Sequence, residues 1–314
     1  MNIAFRIDIS SETGTGHLGR MLALADAFFE LGCTYKIFKG EDEPIDYTGF
    51  DIIVLDSYLL SDEYIAGLNS PDKTIVCFDD NALYTYNCDT LINVNLHAEE
   101  LKFKFGAKKP TLLLGGKYAL LRREFRDSDV ITVKENTNHV FVCFGGSDLR
   151  NMTPHVVKTL KDIPGIKLSV VLGSHTKNDD EVLALANDNI TIFKTPKSIV
   201  DIISTCDIAI ASSGVMTYEL AALGIPGILI AQAENQFLIL EYMSRKKLFT
   251  SLGTWQDIDL EKLKSETIAL LSDYERRLSE SKRLSQAVDK NGAYNAANSI
   301  LNIAKERENQ RHIL

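Results

Sequence analysis

Along the first half of the chain, short apolar runs alternate with longer stretches whose apolar positions recur at helical spacing. Ile3 to Ile7 reads as a strand, followed by a polar loop. Leu18, Met21, Leu22, Ala25, Phe28 and Phe29 then form one face of an amphipathic helix. Thr34 to Phe38 reads as a second strand. Asp51 to Asp56, Thr74 to Asp80 and Thr90 to Asn95 are nearly continuous apolar runs ending in polar residues, the pattern of strands covered on both faces of a parallel sheet. Arg122 to Asn138 is strongly polar and marks a boundary, after which a second β/α series begins at His139 to Phe144. It continues through Lys167–Leu172, Ile190–Phe193, Ile208–Ala211 and Gly227–Ile230, with a helix over Thr217–Leu223. From Ile258 the chain reads as helices, and the polar tail Lys305 to His312 is expected to fray. This alternation predicts an α/β protein with parallel sheets. The expected division is residues 1–132, residues 138–290, and a closing helix and tail over 291–314.

A length of 314 residues agrees with two domains rather than one core. The net charge of −9, without a basic stripe, argues against nucleic acid as a partner, since phosphate neutralisation needs clustered Lys and Arg. The chain enters a strand at once, without a charged-then-apolar leader, and has no run of about eighteen apolar residues to span a bilayer. Its five cysteines show no CxxC spacing, and Cys33, Cys77, Cys143 and Cys206 fall in or beside apolar segments. The expectation is a cytoplasmic, soluble protein with no structural metal and no cofactor.

Candidate chemistry concentrates where the predicted strands end. In parallel sheets ligands bind beyond the carboxyl ends of the strands, the edge that carries Asp8, Tyr58, Asp79 and Asn95. Gly14-Thr15-Gly16-His17-Leu18-Gly19 satisfies GxGxxG, yet six residues separate Ile7 from Gly14, and a histidine occupies a position where close backbone approach is wanted. The dinucleotide reading is therefore disfavoured. His17 at the helix start is either a structural histidine or a base. The positive end of the helix disfavours an imidazolium there and leaves a neutral ring able to accept a proton.

Three turns in the second half suit a nucleotide. Gly145-Gly146-Ser147-Asp148 follows a buried strand and either cradles a phosphate on its amides or is a plain strand-to-helix turn capped by Ser147 or Asp148. Ser212-Ser213-Gly214, with Thr217, offers hydroxyls and helix-start amides to a diphosphate, and Glu219 could accept hydrogen bonds from ribose hydroxyls. Asn235-Gln236 lies on the same edge. The expected arrangement has a nucleotide held by the C-terminal half and His17 facing it from the N-terminal half across a cleft.

In order along the chain, Arg6-x-Asp8, Gly14-x-Gly16-His17-x-x-Arg20, Asp56-x-Tyr58, Phe78-Asp79-Asp80, Asn93-Val94-Asn95, Gly116-x-Tyr118 to Phe125, Gly145 to Asp148, Ser213-Gly214 to Glu219 and Asn235-Gln236 resemble one known family. It comprises the nucleotide-sugar hydrolases of pseudaminic acid biosynthesis, which release UDP from UDP-2,4-diacetamido-2,4,6-trideoxy-β-L-altropyranose and are related to the MurG-type glycosyltransferases. The resemblance implies a GT-B fold, two Rossmann-like domains with a nucleotide-sugar site, and metal-independent, inverting attack of water at the anomeric carbon. It also implies His17 as general base, Tyr58 as a residue positioning the water, and Arg6, Asp8, Gly14, Gly16, Arg20, Asp79 and Asn95 on the substrate. The Gly145-Gly146-Ser147 loop would meet the diphosphate and the helix with Glu219 the uridine, with Ser212, Ser213, Gly214, Asn235 and Gln236 also on the substrate. The partners so implied are a UDP-sugar and UDP, without stable membrane insertion. A glycosyltransferase using a UDP-sugar donor, and a silent nucleotide-sugar binder, are the competing readings. Thr13 and the segment Asp289 to Ala293 depart from the family pattern.

Overall fold

The structure, a computed structural model, describes residues 1–8, 16–40, 44–57, 60–82, 85–106, 109–177 and 179–311. Of the candidate site residues, Gly14 and Tyr58 lie outside these ranges. The chain divides into two compact units, Met1–Arg122 with Asp289–Leu314, and Arg123–Val288.

The first unit contains β1 (Asn2–Ile7), α1 (Gly16–Glu30), β2 (Thr34–Lys39), β3 (Ile52–Asp56), α2 (Asp62–Leu68), β4 (Thr74–Phe78), β5 (Thr85–Tyr86), β6 (Thr90–Asn93), β7 (Lys104–Phe105) and β8 (Thr111–Leu114). Six of the strands form a sheet in the order β2-β1-β3-β4-β6-β8, and every pairing is parallel. Strands β3 and β4 are buried at every position, as their unbroken apolar runs require. One sheet face packs Phe5, Ile7, Ile52 and Val54 against Leu24 and Phe28 of α1; the other packs Ile53, Leu55 and Ile75 with Ile65 and Tyr86.

The second unit runs α3 (Arg123–Arg126), β9 (His139–Cys143), α4 (Met152–Leu160), β10 (Lys167–Leu172), α5 (Asp179–Leu183), β11 (Ile190–Lys194), α6 (Val200–Ile203), β12 (Ile208–Ser212), α7 (Met216–Leu223), β13 (Gly227–Ala231), α8 (Phe237–Arg245), β14 (Thr250–Thr254), α9 (Leu260–Ser272) and α10 (Tyr274–Ala287). Its six-stranded sheet has the order β11-β10-β9-β12-β13-β14, again wholly parallel. Ranked along the unit, this is the 3-2-1-4-5-6 order of a doubly wound fold. Residues 123–137 pack with this unit. The Ile131 amide donates to the Leu223 carbonyl (2.8 Å). Arg277, fully buried, donates to the carbonyls of Lys134 (2.8 Å), Glu135 (3.2 Å) and Leu270 (2.8 Å).

The last helix, α11 (Gly292–Arg311), returns to the first unit and packs along α1. Ala293, Ala296, Ala297, Ile300, Leu301 and Ala304 join the β1/α1 core, a small-residue face that lets two helices approach closely. Gly292 is required at the point of entry, because a Cβ there would lie 2.3 Å from the Ala119 carbonyl oxygen. The tail does not fray at Lys305. The helix continues to Arg311, and Arg307 is ion-paired with the buried Asp89 and donates to the Ser70 carbonyl (3.2 Å). Two edge strands, β8 and β14, are only partly buried and lie outside the strands that the sequence pattern predicts.

Ile300→Ala should destabilise the first unit by about 2–5 kcal/mol, the usual cost of truncating a fully buried aliphatic side chain. A lower denaturant midpoint for that unit is the expected result. Gly292→Ala should also lower it, through displacement of α11 from Ala119.

Candidate functional site

In each sheet the strand order reverses at one place, and the candidate residues gather there. In the first unit the reversal lies between β1 and β3, whose ends are joined by the Asp8 amide donating to the Asp56 carbonyl (3.2 Å). Helix α1 begins at Gly16, which makes His17 its second residue and sets Arg20 one turn later on the same face. Both side chains are buried, as is Asp56 at the end of β3. His17 Nδ1 lies 3.0 Å from Asp56 Oδ1. Arg20 grips Asp56 with both arms of its fork, Nε to Oδ2 at 2.8 Å and Nη2 to Oδ1 at 2.5 Å. Its third nitrogen, Nη1, donates to both oxygens of Asp80, at 2.9 and 2.8 Å. The guanidinium sits over the Phe78 ring, 5.2 Å from its centroid.

The network continues across the sheet. Asn95 Nδ2 donates to Asp80 Oδ1 (3.1 Å) and to Asn93 Oδ1 (2.8 Å). On the other side, Arg6 Nη1 donates to Asp8 Oδ1 (3.3 Å), and Ser57 Oγ donates to Asp8 Oδ2. Gly40 leaves room for that pair, since a Cβ there would lie 2.5 Å from Asp8 Oδ1. Arg6, Asp8, His17, Arg20 and Asn95 are thus brought together. Asp79 turns toward its own backbone instead. Its Oδ1 accepts from the amides of Asn81 (3.0 Å) and Ala82 (2.9 Å) and shapes the loop after β4.

Burial would raise the pKa of Asp56, but the charges of Arg20 and His17 and their hydrogen bonds outweigh it and hold the carboxyl well below the usual range. His97 moves downward because burial disfavours its cation, despite the nearby carboxylates of Asp80 and Glu100.

In the second unit the reversal lies between β9 and β12, and three strand-to-helix turns converge there. Gly145 has a φ of +83°, a left-handed conformation that suits glycine, and faces the Ser212 hydroxyl. Gly173 lies so close to Gly146 that a Cβ would fall 2.3 Å from the Gly146 carbonyl oxygen. Gln232 Nε2 donates to the Phe144 carbonyl (3.1 Å), while its Oε1 accepts from the Arg150 amide (3.0 Å). Gln236 Oε1 accepts from the Gln232 amide (2.9 Å), and Ser213 Oγ donates to the Gln236 carbonyl (3.4 Å). Gly145, Ser212, Ser213, Gly214 and Gln236 therefore share one edge, with Gly146 and Ser147 in the same turn. Asn235 is exposed in the short turn before α8. Glu219 is buried within α7. Asp148, not Ser147, caps α4, accepting from the amides of Met152 and Thr153 at 2.8 Å each.

Among the described residues no His, Cys, Asp and Glu cluster has the form of a metal site, and no helix is long and apolar enough to cross a membrane. All five cysteines are buried thiols. Asp56, Asp80 and Gln232 are the participants that sequence reasoning did not put among the site residues. Asp56 had a visible signal, a carboxylate closing a wholly apolar strand.

Because the folded pKa of Asp56 is depressed, its contribution to stability is full above the unfolded aspartate value of about 3.9. It is lost as pH falls through the lower folded value. Acid unfolding of Asp56→Asn should therefore show a shallower dependence of stability on pH below about 4 than the parent chain. Equal slopes in a pH series of denaturant melts would contradict this.

No protein-family model matches the chain. It is similar, at 24% identity over 78% of its length and 97% of the relative's, to UDP-2,4-diacetamido-2,4,6-trideoxy-β-L-altropyranose hydrolase of Campylobacter jejuni. An uncharacterized protein of Methanocaldococcus jannaschii is 27% identical over 75% of this chain; the match spans only 57% of that longer protein. The spore coat polysaccharide biosynthesis protein SpsG of Bacillus subtilis is 21% identical over 89% of this chain and 91% of its own. Among solved structures, Acinetobacter baumannii MurG superposes with a TM-score of 0.64 at 12% identity, covering 96% of this chain and 100% of that one. The spinosyn rhamnosyltransferase SpnG, complexed with thymidine diphosphate, gives 0.63 at 14% identity, over 92% and 96%. With two parallel six-stranded α/β units and these structural likenesses, the chain has the GT-B fold.

Proposed function

We propose that this protein is a nucleotide-sugar hydrolase that releases UDP and free sugar from UDP-2,4-diacetamido-2,4,6-trideoxy-β-L-altropyranose, a step of pseudaminic acid biosynthesis. The observation that carries the reading is His17, buried against a carboxylate at the ligand edge of its sheet, in a chain similar along most of its length to the named hydrolase. In this reading His17 takes a proton from water as the water oxygen bonds to the anomeric carbon. The C1–O bond breaks, UDP leaves with the bonding pair, and the configuration inverts. A positioned base of this kind contributes roughly 10²–10⁴-fold to the rate. Tyr58 positions the water, and Arg6, Asp8 and Asn95 bind the sugar portion. Glu219 accepts the ribose hydroxyls. The turns at Gly145-Gly146-Ser147 and Ser212-Ser213-Gly214, with Asn235 and Gln236, present amides and hydroxyls to the diphosphate, so its negative charge is met without a metal ion.

The likeness to MurG and SpnG supports a second reading, in which an acceptor hydroxyl replaces water on the same fold. Incubation with the UDP-sugar alone separates the two. Equimolar UDP and free sugar are the expected products, whereas UDP release only upon adding an acceptor would favour the transferase. His17→Asn should abolish turnover and leave UDP affinity nearly unchanged; retention of most activity would remove His17 as the base. Glu219→Ala should weaken UDP binding in a calorimetric titration. Gly173→Ala should do the same by displacing the Gly146 turn. EDTA should leave the rate unaltered.

A further inference from the structure

We propose that Asp56 is a positioning residue that fixes the ring orientation and tautomer of His17, and that Arg20 and Asp80 brace Asp56 instead of contacting substrate. The inference rests on the reading of His17 as base.

The argument begins with the 3.0 Å contact between His17 Nδ1 and Asp56 Oδ1. Both groups are withdrawn from water, with 10% of the histidine side chain and 2% of the aspartate side chain exposed. A bare Nδ1 would set its lone pair against a carboxylate oxygen at hydrogen-bond distance. The carboxyl is held ionised by its neighbours and has no proton to give. A proton on Nδ1 satisfies that carboxylate and leaves the lone pair on Nε2, the far side of the ring. Arg20 Nη2 also lies 3.1 Å from Nδ1 and has a second hydrogen beyond the one given to Asp56 Oδ1 at 2.5 Å, but the ionised carboxylate is the stronger partner for the Nδ1 site. The imidazole is thereby pinned as a base that accepts through Nε2.

Arg20 has a different geometry from a substrate-binding arginine. Nε, Nη1 and Nη2 are each directed at a carboxylate, and the residue is 7% exposed. A lysine could not span both acids, since the bidentate fork is what ties Asp56 to Asp80. Two carboxylates against one guanidinium leave these three groups with one excess negative charge while His17 is neutral. Uptake of a proton by His17 brings the four to balance, so the cluster stabilises the imidazolium that forms as water is deprotonated.

The first test reads the ring directly. In ¹⁵N-labelled protein the His17 signals should show a protonated Nδ1 and a bare Nε2 at neutral pH; the opposite tautomer would overturn the proposal. Asp56→Asn should mix the tautomers and lower kcat by about 10²–10⁴-fold, with KM and UDP affinity within about twofold. Arg20→Lys should likewise lower kcat with KM unchanged. A folded Asp56→Asn protein with the parent His17 spectrum and kcat would overturn it, and so would an Arg20→Lys protein with raised KM and unaltered kcat. The spectrum requires no turnover. If His17→Asn retained activity while the spectrum showed the pinned tautomer, the base assignment would fail and the brace would stand. Should Asp56→Asn not fold, the parent spectrum and Arg20→Lys still decide.

Discussion

A carboxylate without water must be matched by charge, and Asp56 imposes that requirement on the first unit. Its strand ends inside the protein, so the guanidinium that neutralises it has to arrive from an adjacent element. Arg20 meets the need only if α1 starts close to Gly16 and turns its His17/Arg20 face toward β3. Asp80 then has to follow β4, and Asn95 has to follow β6, to complete the acceptors and donors around the same guanidinium. One buried charge thus fixes the relative setting of a helix and three strand ends. Buried ion pairs are weak contributors to net stability, because desolvation offsets their attraction. Their retention here is better explained by the geometry they impose on the imidazole than by the stability they add.

The second unit reaches a comparable rigidity by other means. Its turns are braced chiefly by amides and hydroxyls: Gln232 spans the ends of β9 and β13, and Gln236 folds back on Gln232. Gly173 lets its backbone approach that of Gly146, and Gly145 takes a left-handed turn. The one carboxylate in the first turn, Asp148, faces away into the start of α4. An edge so built offers N–H groups and hydroxyls with little competing negative charge, which suits an anionic ligand. In the proposed reading the first unit supplies the proton acceptor and the second holds the anion.

Much of this was legible from residue order because interior parallel strands carry unbroken apolar runs and their ends carry the polar residues. That pattern, with the glycine turns beside it, places His17, Gly145 and Ser212 near the carboxyl ends of the strands. Other features have no local signature. Strands β8 and β14 are half-covered edges whose pattern depends on what lies above them. The Lys305 to Arg311 stretch looks too polar to be ordered until Asp89, far away in sequence, is seen to pair with Arg307. Arg20 carries the motif's charge, but its partners Asp56 and Asp80 are set by tertiary contact.

The return of α11 has a consequence for how the polypeptide acquires its structure. Residues Arg123–Val288 form a continuous unit whose sheet can be completed as soon as those residues have been synthesised. The first sheet, although made earlier, leaves one side of β1 and α1 without Ala296, Ile300 and Leu301 until the whole second unit has been translated. Domains emerging from the ribosome commonly mature in N-to-C order. Here the order is inverted: of the two units, the one begun first is sealed last, and its unfinished apolar face must be kept from aggregation throughout the synthesis of the other.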